Sequence, residues 1–387
     1  MDRRTDIDRP ARLIGGLSPR AFMRRHWQKA PLVVRDALAD PGLVASPDDV
    51  RTLACTGGVE SRLVLRTGEA WSLRHGPFAR RALPSARRAA WTLLVQGVDL
   101  HLDAARALLE RFRFVPDARL DDVMLSYATD GGGVGPHVDS YDVFLLQVRG
   151  RRRWRVGPPK RVASLRDDVP LRMLARFGPT DEWTLDAGDL LYLPPGWQHE
   201  GVAEGETITA SIGFRASTAA ALAADILQQL LDARADAPDE GPRYADPAQA
   251  ATRVPARVPP ALVRFAHASV AALVRDRGAI DRALGAALSE PKPGVWFDRP
   301  PARIEPSAGV QLDRRTRMLY DARHVYVNGQ AYRAGGADGP LVRRLADERA
   351  LGARHVASLS SQARALLDEW LAAGWLHPAG AQDGDDA

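Results

Sequence analysis

The chain predicts an α+β protein: a small β-barrel or sandwich preceded by mixed helix and strand, then followed by a helical block and a small C-terminal domain. Three observations carry this. From Asp122 to Phe214, short β-type runs are broken repeatedly by Gly and Pro, the pattern of a barrel or sandwich. After Ser217 the apolar residues change to helical spacing. Finally, 387 residues with 45% hydrophobic and 26% charged content can bury a real core and suggest about two or three domains.

In the N-terminal region, Ser18-Pro19 and Ser46-Pro47 each read as a capped helix start with Pro at the first helical position. Pro31 to Arg35 is strand-like. Asp103 to Phe112 places Ala105, Leu108 and Leu109 on one helical face. The candidate barrel strands are Val123 to Tyr127, Val143 to Val148, Arg153 to Val156, Trp183 to Leu185, Leu190 to Leu193 and Thr207 to Phe214. A small barrel with a narrow mouth is a natural place for a ligand.

Thr218 to Ala233 carries Leu222, Ile226, Leu227, Leu230 and Leu231 as an apolar stripe behind a Ser217 cap, and packing within a helical layer is the expected use of such a stripe. A Pro, Asp and Gly-rich link runs from Asp236 to Asp246, and helical patterns resume from Pro260 to Leu288. Pro291 through Pro301 reads as a linker. Beyond it lie strand-like segments at Met318 to Asp321 and His324 to Val327, an Asn328-Gly329 hairpin turn and a helix from Ser361 to Leu371. The acidic tail at 381–386 is expected to be disordered.

Composition excludes several classes. Cys55 is the only cysteine, so an intramolecular disulfide and a zinc ribbon are both ruled out. No apolar run approaches the roughly 18 residues of a membrane span, and Met1 to Asp6 leads into no signal region, so a cytoplasmic location is expected. The positive charge is nearly all arginine, with only Lys29, Lys160 and Lys292 as lysines. A net charge of +5 over this length is mild and does not by itself mark a nucleic-acid binder.

The chemistry concentrates at Gly135-Pro136-His137-Val138-Asp139. In an extended segment the spacing of His137 and Asp139 puts both side chains on one face, after the glycine run Gly131-Gly132-Gly133. A third candidate, His199, follows the Pro194-Pro195-Gly196 corner. Two imidazoles and one carboxylate make the facial triad that holds non-haem Fe(II) with open coordination positions. In Gly150-Arg151-Arg152-Arg153-Trp154-Arg155, Arg152 faces opposite to Arg151, Arg153 and Arg155. Pointing inward, Arg152 would need an anion, and the distal carboxylate of 2-oxoglutarate accepts such a fork, with Ser126 adding a hydroxyl.

These segments, with Tyr141-Asp142-Val143-Phe144 and Leu193-Pro194-Pro195-Gly196-Trp197-Gln198-His199, resemble the JmjC-type ribosomal oxygenases, most closely the bacterial branch that hydroxylates an arginine of large-subunit ribosomal protein uL16. The resemblance implies a double-stranded β-helix (cupin/JmjC) core. It implies an oxygenase domain over 1–217 with its motif core at 122–215, a helical dimerisation segment at 218–290 and a winged-helix domain at 300–387. It further implies Fe(II) on His137, Asp139 and His199, 2-oxoglutarate as co-substrate on Ser126 and Arg152, uL16 as substrate, and a homodimer.

An arginine substrate calls for acidic or aromatic partners at the mouth, for which Asp130, Tyr141 and Asp142 are the candidates. Two other readings stand beside it: a histidine hydroxylase or N-methyl-lysine demethylase of the same chemistry, and a non-catalytic cupin with a nucleic-acid-binding tail. Direct nucleic-acid binding is compatible with the first reading and not required by it.

Overall fold

The computed structural model describes residues 6–160, 164–235, 241–298 and 309–379. One unit ends at Ala216, with 294–296 falling beside it, and a second begins at Ser217. The expected disordered tail and the Pro300-Pro301 end of the linker lie outside the described residues.

In the first unit, α1 (Pro19–Arg25) and α2 (Pro47–Cys55) start as expected. Ser18 Oγ accepts the Ala21 N–H, and Ser46 and Asp49 form a reciprocal capping box. Strand β1 (Leu32–Val34) follows α1; β2 (Ser61–Thr67), β3 (Ala70–His75) and β4 (Trp91–Val95) follow α2; helix α3 is Asp103–Glu110. The barrel strands are β5 (Leu120–Ala128), β6 (His137–Val138), β7 (Val143–Pro159), β8 (Asp181–Leu185), β9 (Leu190–Leu193) and β10 (Trp197–Phe214).

Two long strands organise this unit. The runs read separately as Val143 to Val148 and Arg153 to Val156 are one 17-residue strand, β7. The run expected to begin at Thr207 starts at Trp197, so His199 lies on a strand and not in a turn. Strands β7 and β10 pair along nearly their whole length within one ten-stranded sheet, with different neighbours at their two ends. Near the chain's Gln147–Thr209 pairing they lie in an eight-strand order β1-β9-β7-β10-β5-β4-β2-β3; near Val156–His199 they are flanked by β8 and β6.

The change of neighbours falls where the β7–β10 register shifts, between Glu204 and Ile208. Gly150 sits opposite this shift with φ +67, and a Cβ there would collide with the Glu206 carbonyl. One sheet folded over along two long bent strands makes a double-stranded β-helix.

The strand period then sorts side chains. Val123, Leu125 and Tyr127 of β5 face away from the barrel and join the main core with Leu108 and Leu109 of α3 and Val50 and Ala54 of α2. Burying each such aliphatic side chain contributes roughly 1.5–3 kcal/mol. The alternating residues Met124 and Ser126 face inward.

In the second unit, α4 (Ala219–Ala235), α5 (Pro260–Leu273) and α6 (Arg277–Ser289) precede β11 (Val310–Leu312), β12 (Met318–Tyr320), β13 (His324–Val327) and β14 (Gln330–Arg333). Then come α7 (Gly339–Glu348), β15 (Ala350–Leu351), α8 (Ala353–Ala357), α9 (Ser361–Ala372) and β16 (Leu376–Pro378). Two three-stranded sheets, β15-β11-β16 and β12-β13-β14, share a core with Leu345, Leu367, Trp370 and Leu371. Asn328 and Gly329 both have positive φ and join β13 to β14, as the hairpin reading required.

Three expectations change here. The α4 cap is Thr218, whose Oγ1 accepts the Ala221 N–H, and not Ser217. Where α4 packs on α6, Leu230 of the stripe is buried and Leu222 and Ile226 are half-buried, while Leu227 and Leu231 are exposed, so the stripe is only partly used within this unit. Helix α6 packs against the β12-β13-β14 sheet, with the Tyr326 hydroxyl donating to the Asp281 carbonyl at 3.4 Å, so it goes with the C-terminal sheets. No helix among the described residues is long and apolar enough to cross a membrane.

Candidate metal centre and carboxylate cradle

His137 on β6 lies directly opposite His199 on β10, and cross-strand partners in an antiparallel pair project from the same face. Their ring centroids are 4.2 Å apart. Asp139, two residues beyond His137, brings Oδ2 to 3.5 Å from His199 Nε2, and its backbone carbonyl accepts the Gly196 N–H at 2.7 Å. One ligand atom from each of the three residues falls within 4.8 Å of the others. Among the described residues no other group of three His, Cys, Asp or Glu does this.

Hydrogen bonds fix the chemistry of these donors. His137 Nδ1 donates to the Gly135 carbonyl at 3.0 Å and His199 Nδ1 to the Trp197 carbonyl at 2.9 Å. A carbonyl can only accept, so each Nδ1 carries a proton and Nε2 is the nitrogen left to face a metal. Burial, followed by the nearness of His199, pushes the His137 imidazole down to about 4, so it is neutral at pH 7. Burial opposes ionisation of Asp139, but His199, His137 and the Tyr141 hydroxyl outweigh it and hold this carboxyl below the usual range. Two imidazole nitrogens and a carboxylate thus converge, and this N, N, O donor set suits iron(II).

Arg152 stands on β7 with its side chain inside the barrel and only 3% exposed. One terminal nitrogen donates to Ser126 Oγ and Thr209 Oγ1, each at 3.1 Å, and the other to the Gly201 carbonyl at 3.3 Å. All three acceptors are neutral, and Arg152 Nε has no partner. Burial pushes this guanidinium down to about 10. A Cβ at Gly201 would stand 2.8 Å from Arg152 Nε and from the Trp154 ring, so glycine makes the room. A buried cation with unfilled donor capacity is built to receive an anion from outside the chain, and its planar fork matches a carboxylate.

Thr209 was not legible as a partner until the pairing was known. It is the cross-strand neighbour of Ser126, and Gln147 Oε1 accepts its hydroxyl at 2.9 Å. That register is the signal that would have found it.

The three mouth candidates separate. Tyr141 is 38% exposed beside Asp139. Asp130 is exposed, with Oδ1 accepting the Gly205 N–H at 2.9 Å. Asp142 is 0% exposed, and its carboxylate accepts the Tyr192 hydroxyl at 2.7 Å, Gln28 Nε2 at 2.9 Å and Arg119 at 3.4 Å. Asp142 is a buried brace beneath α1 and is not available to a substrate guanidinium, which corrects the sequence expectation.

The family profile of the JmjC domain matches residues 107–222, and that of the ROXA-like winged helix matches residues 272–377. The chain is 38% identical over 243 residues to ribosomal protein uL16 3-hydroxylase of Escherichia coli; the alignment covers 62% of this chain and 61% of that protein. The X-ray structure of E. coli YcfD superposes with a TM-score of 0.79 at 30% identity, covering 92% of this chain and 97% of that one. The structure of YcfD, a ribosomal oxygenase, in complex with cobalt and 2-oxoglutarate superposes with a TM-score of 0.76 at 30% identity, covering 94% and 99%. With both halves of its architecture and a structural match along nearly its whole length, the chain belongs to the JmjC-domain ribosomal oxygenases.

Proposed function

We propose that this chain is an Fe(II)- and 2-oxoglutarate-dependent protein hydroxylase acting at carbon 3 of an arginine in ribosomal protein uL16. The observation that carries the chemistry is the buried convergence of His137, Asp139 and His199 beside an arginine lacking an anion. The likeness to the E. coli uL16 3-hydroxylase supports the substrate.

In this reading His137, Asp139 and His199 hold the metal. With 2-oxoglutarate and dioxygen it would supply the oxidative chemistry: one atom of dioxygen goes to an unactivated carbon and the other to the co-substrate, which loses carbon dioxide and becomes succinate. The chain's own residues do the positioning. The Gly135 and Trp197 carbonyls aim the two imidazoles, while Arg152, Ser126 and Thr209 bind the distal carboxylate of the co-substrate. Asp130 and Tyr141, at the exposed rim, are assigned to the substrate guanidinium. Incubating the protein with iron, 2-oxoglutarate and the uL16 arginine peptide should add one oxygen atom by mass spectrometry. Oxygen on a histidine peptide instead, or methyl loss from N-methyl-lysine, would redirect the same chemistry to another target; no turnover with metal bound would favour a non-catalytic cupin.

A homodimer belongs to this proposal, in the cytoplasm where uL16 is assembled. No residue of α5 is buried, and Leu262, Val263 and Val270 stand exposed on it, Val270 at 61%. A face of this kind suits a second copy of the same chain. Val263→Glu with Val270→Glu should convert the dimer to a monomer in light scattering coupled to gel filtration. A wild-type monomer at micromolar concentration would remove this part of the reading. Helix α9 carries Asp368 and Glu369 against Arg364, so its face offers no cationic excess to nucleic acid.

A further inference from the structure

The chain's positive charge is not spread evenly. Residues 61–90 hold seven arginines against the single acid Glu69, a net +6, which exceeds the +5 of the whole chain and leaves the remainder slightly negative. The structure gathers this segment into the β2–β3 hairpin and the loop that returns to β4. Arg66, Arg74, His75, Arg80, Arg81, Arg87 and Arg88 are exposed. Asp48 pairs with Arg80, and Glu60 lies 4.0 Å from Arg62. Arg81, Arg87 and Arg88 have no acidic partner among the described residues, while Arg74 lies over the Phe78 ring on the core side of the sheet.

The hairpin's register ties this charge to the site. Arg62 pairs with His75 on one side and Leu94 on the other, and Leu94 pairs with Ser126. One row of same-face residues therefore runs from the sheet edge to the Arg152 cradle. Arg66 pairs with Trp71, and its guanidinium lies over that ring, 5.6 Å from the centroid. Arg66 also donates to the Gly131 carbonyl at 3.2 Å, at the start of the glycine run that leads to His137.

A ribosomal protein substrate is itself a poor occupant for such a face, because an arginine-bearing basic segment is repelled by it. The occupant must be a polyanion. An indole stacked with a guanidinium on the edge strand β3, beside a loop of arginines without acidic partners, matches the base stacking and phosphate pairing of single-stranded RNA.

We infer that the β2–β3 edge and the loop that returns to β4 bind single-stranded RNA, with phosphates on Arg81, Arg87 and Arg88 and a base on Trp71. Only its purpose, holding the RNA that accompanies the substrate beside the site, rests on the function proposed above.

The test is fluorescence anisotropy of a labelled oligouridylate of about 20 nucleotides with the full chain, from about 50 to about 200 mM salt. Arg81→Glu with Arg87→Glu and Arg88→Glu should weaken binding at least about tenfold and flatten the salt slope by about 0.7 for each phosphate no longer neutralised. Trp71→Ala should weaken it about fivefold or more at every salt concentration. Hydroxylation of a free uL16 peptide by the triple variant should stay at the wild-type rate.

Binding by the triple variant within twofold of wild type overturns the inference. So does loss of binding in Arg323→Glu with Arg333→Glu, on β13 and β14, while the triple variant still binds. If RNA binding behaves as stated while the wild-type protein leaves the uL16 peptide unmodified, the RNA face stands and the substrate assignment falls.

Discussion

Asp139→Ala is expected to lower hydroxylation of the uL16 peptide by at least about 100-fold, beyond the 10–100-fold typical of residues that only support a ligand. The carboxylate is the one negative charge among the three converging donors, so its loss removes both a ligand and the charge that favours a divalent cation there. The fold should survive. Asp139's link to Gly196 runs through its backbone carbonyl, which alanine keeps. Calorimetric titration of metal into the apo protein separates the causes: wild type should bind Mn(II) or Co(II) as stand-ins and the variant should not, while circular dichroism and melting stay alike. Metal binding by Asp139→Ala within threefold of wild type would sink the ligand assignment. His137→Ala should behave the same way, and Tyr141→Phe, which touches only the rim of the triad, should retain metal.

How much of this was legible depends on the range of the physics involved. Helix starts at Ser18 and Ser46 and the Asn328-Gly329 hairpin are set within four residues, and the structure forms them where the sequence places them. The inward face of Arg152 followed from strand alternation alone, because Arg151, Arg153 and Arg155 had to take the other side. What failed was longer in range. Gly150 read as a strand break, yet it is a bend within β7 whose pairing with β10 continues on both sides, and only the β7–β10 register reveals that.

Asp142 failed for a related reason. In sequence it adjoins Tyr141, but both lie in the bend between β6 and β7, which sends them to different sides. Asp142 turns under the sheet to Tyr192 and Gln28 while Tyr141 turns toward Asp139. The α4 and α5 stripes show a further limit. Period reports that an apolar face exists, and cannot report whether this chain or a second one covers it.

Arg152→Met is expected to raise the KM for 2-oxoglutarate by about 30-fold to about 1,000-fold, the range for removing one partner of a buried charge pair, and to make the apo protein no less stable than wild type. These two effects have opposite origins in the same group. In the apo protein Arg152 is a desolvated cation with only neutral acceptors, and burial has already pushed its guanidinium down to about 10. Because the folded value lies below the unfolded one, the charge costs stability at every pH where the unfolded arginine is protonated, which includes the whole physiological range. Methionine removes that cost and fills much of the volume. Once a carboxylate arrives, the balance reverses: the unpaired Nε and the terminal nitrogens gain a charged acceptor in a water-poor barrel. Melting curves with and without 2-oxoglutarate therefore discriminate a binding role from a structural one. Wild type should gain stability with added 2-oxoglutarate and metal, in proportion to the logarithm of its concentration over Kd, and Arg152→Met should start at least as high and gain nothing. Arg152→Lys should recover part of the gain, since a lysine ammonium restores the charge without the fork. A destabilised apo Arg152→Met that still responds to 2-oxoglutarate would make Arg152 a packing residue, and the carboxylate would have to be held elsewhere in the barrel.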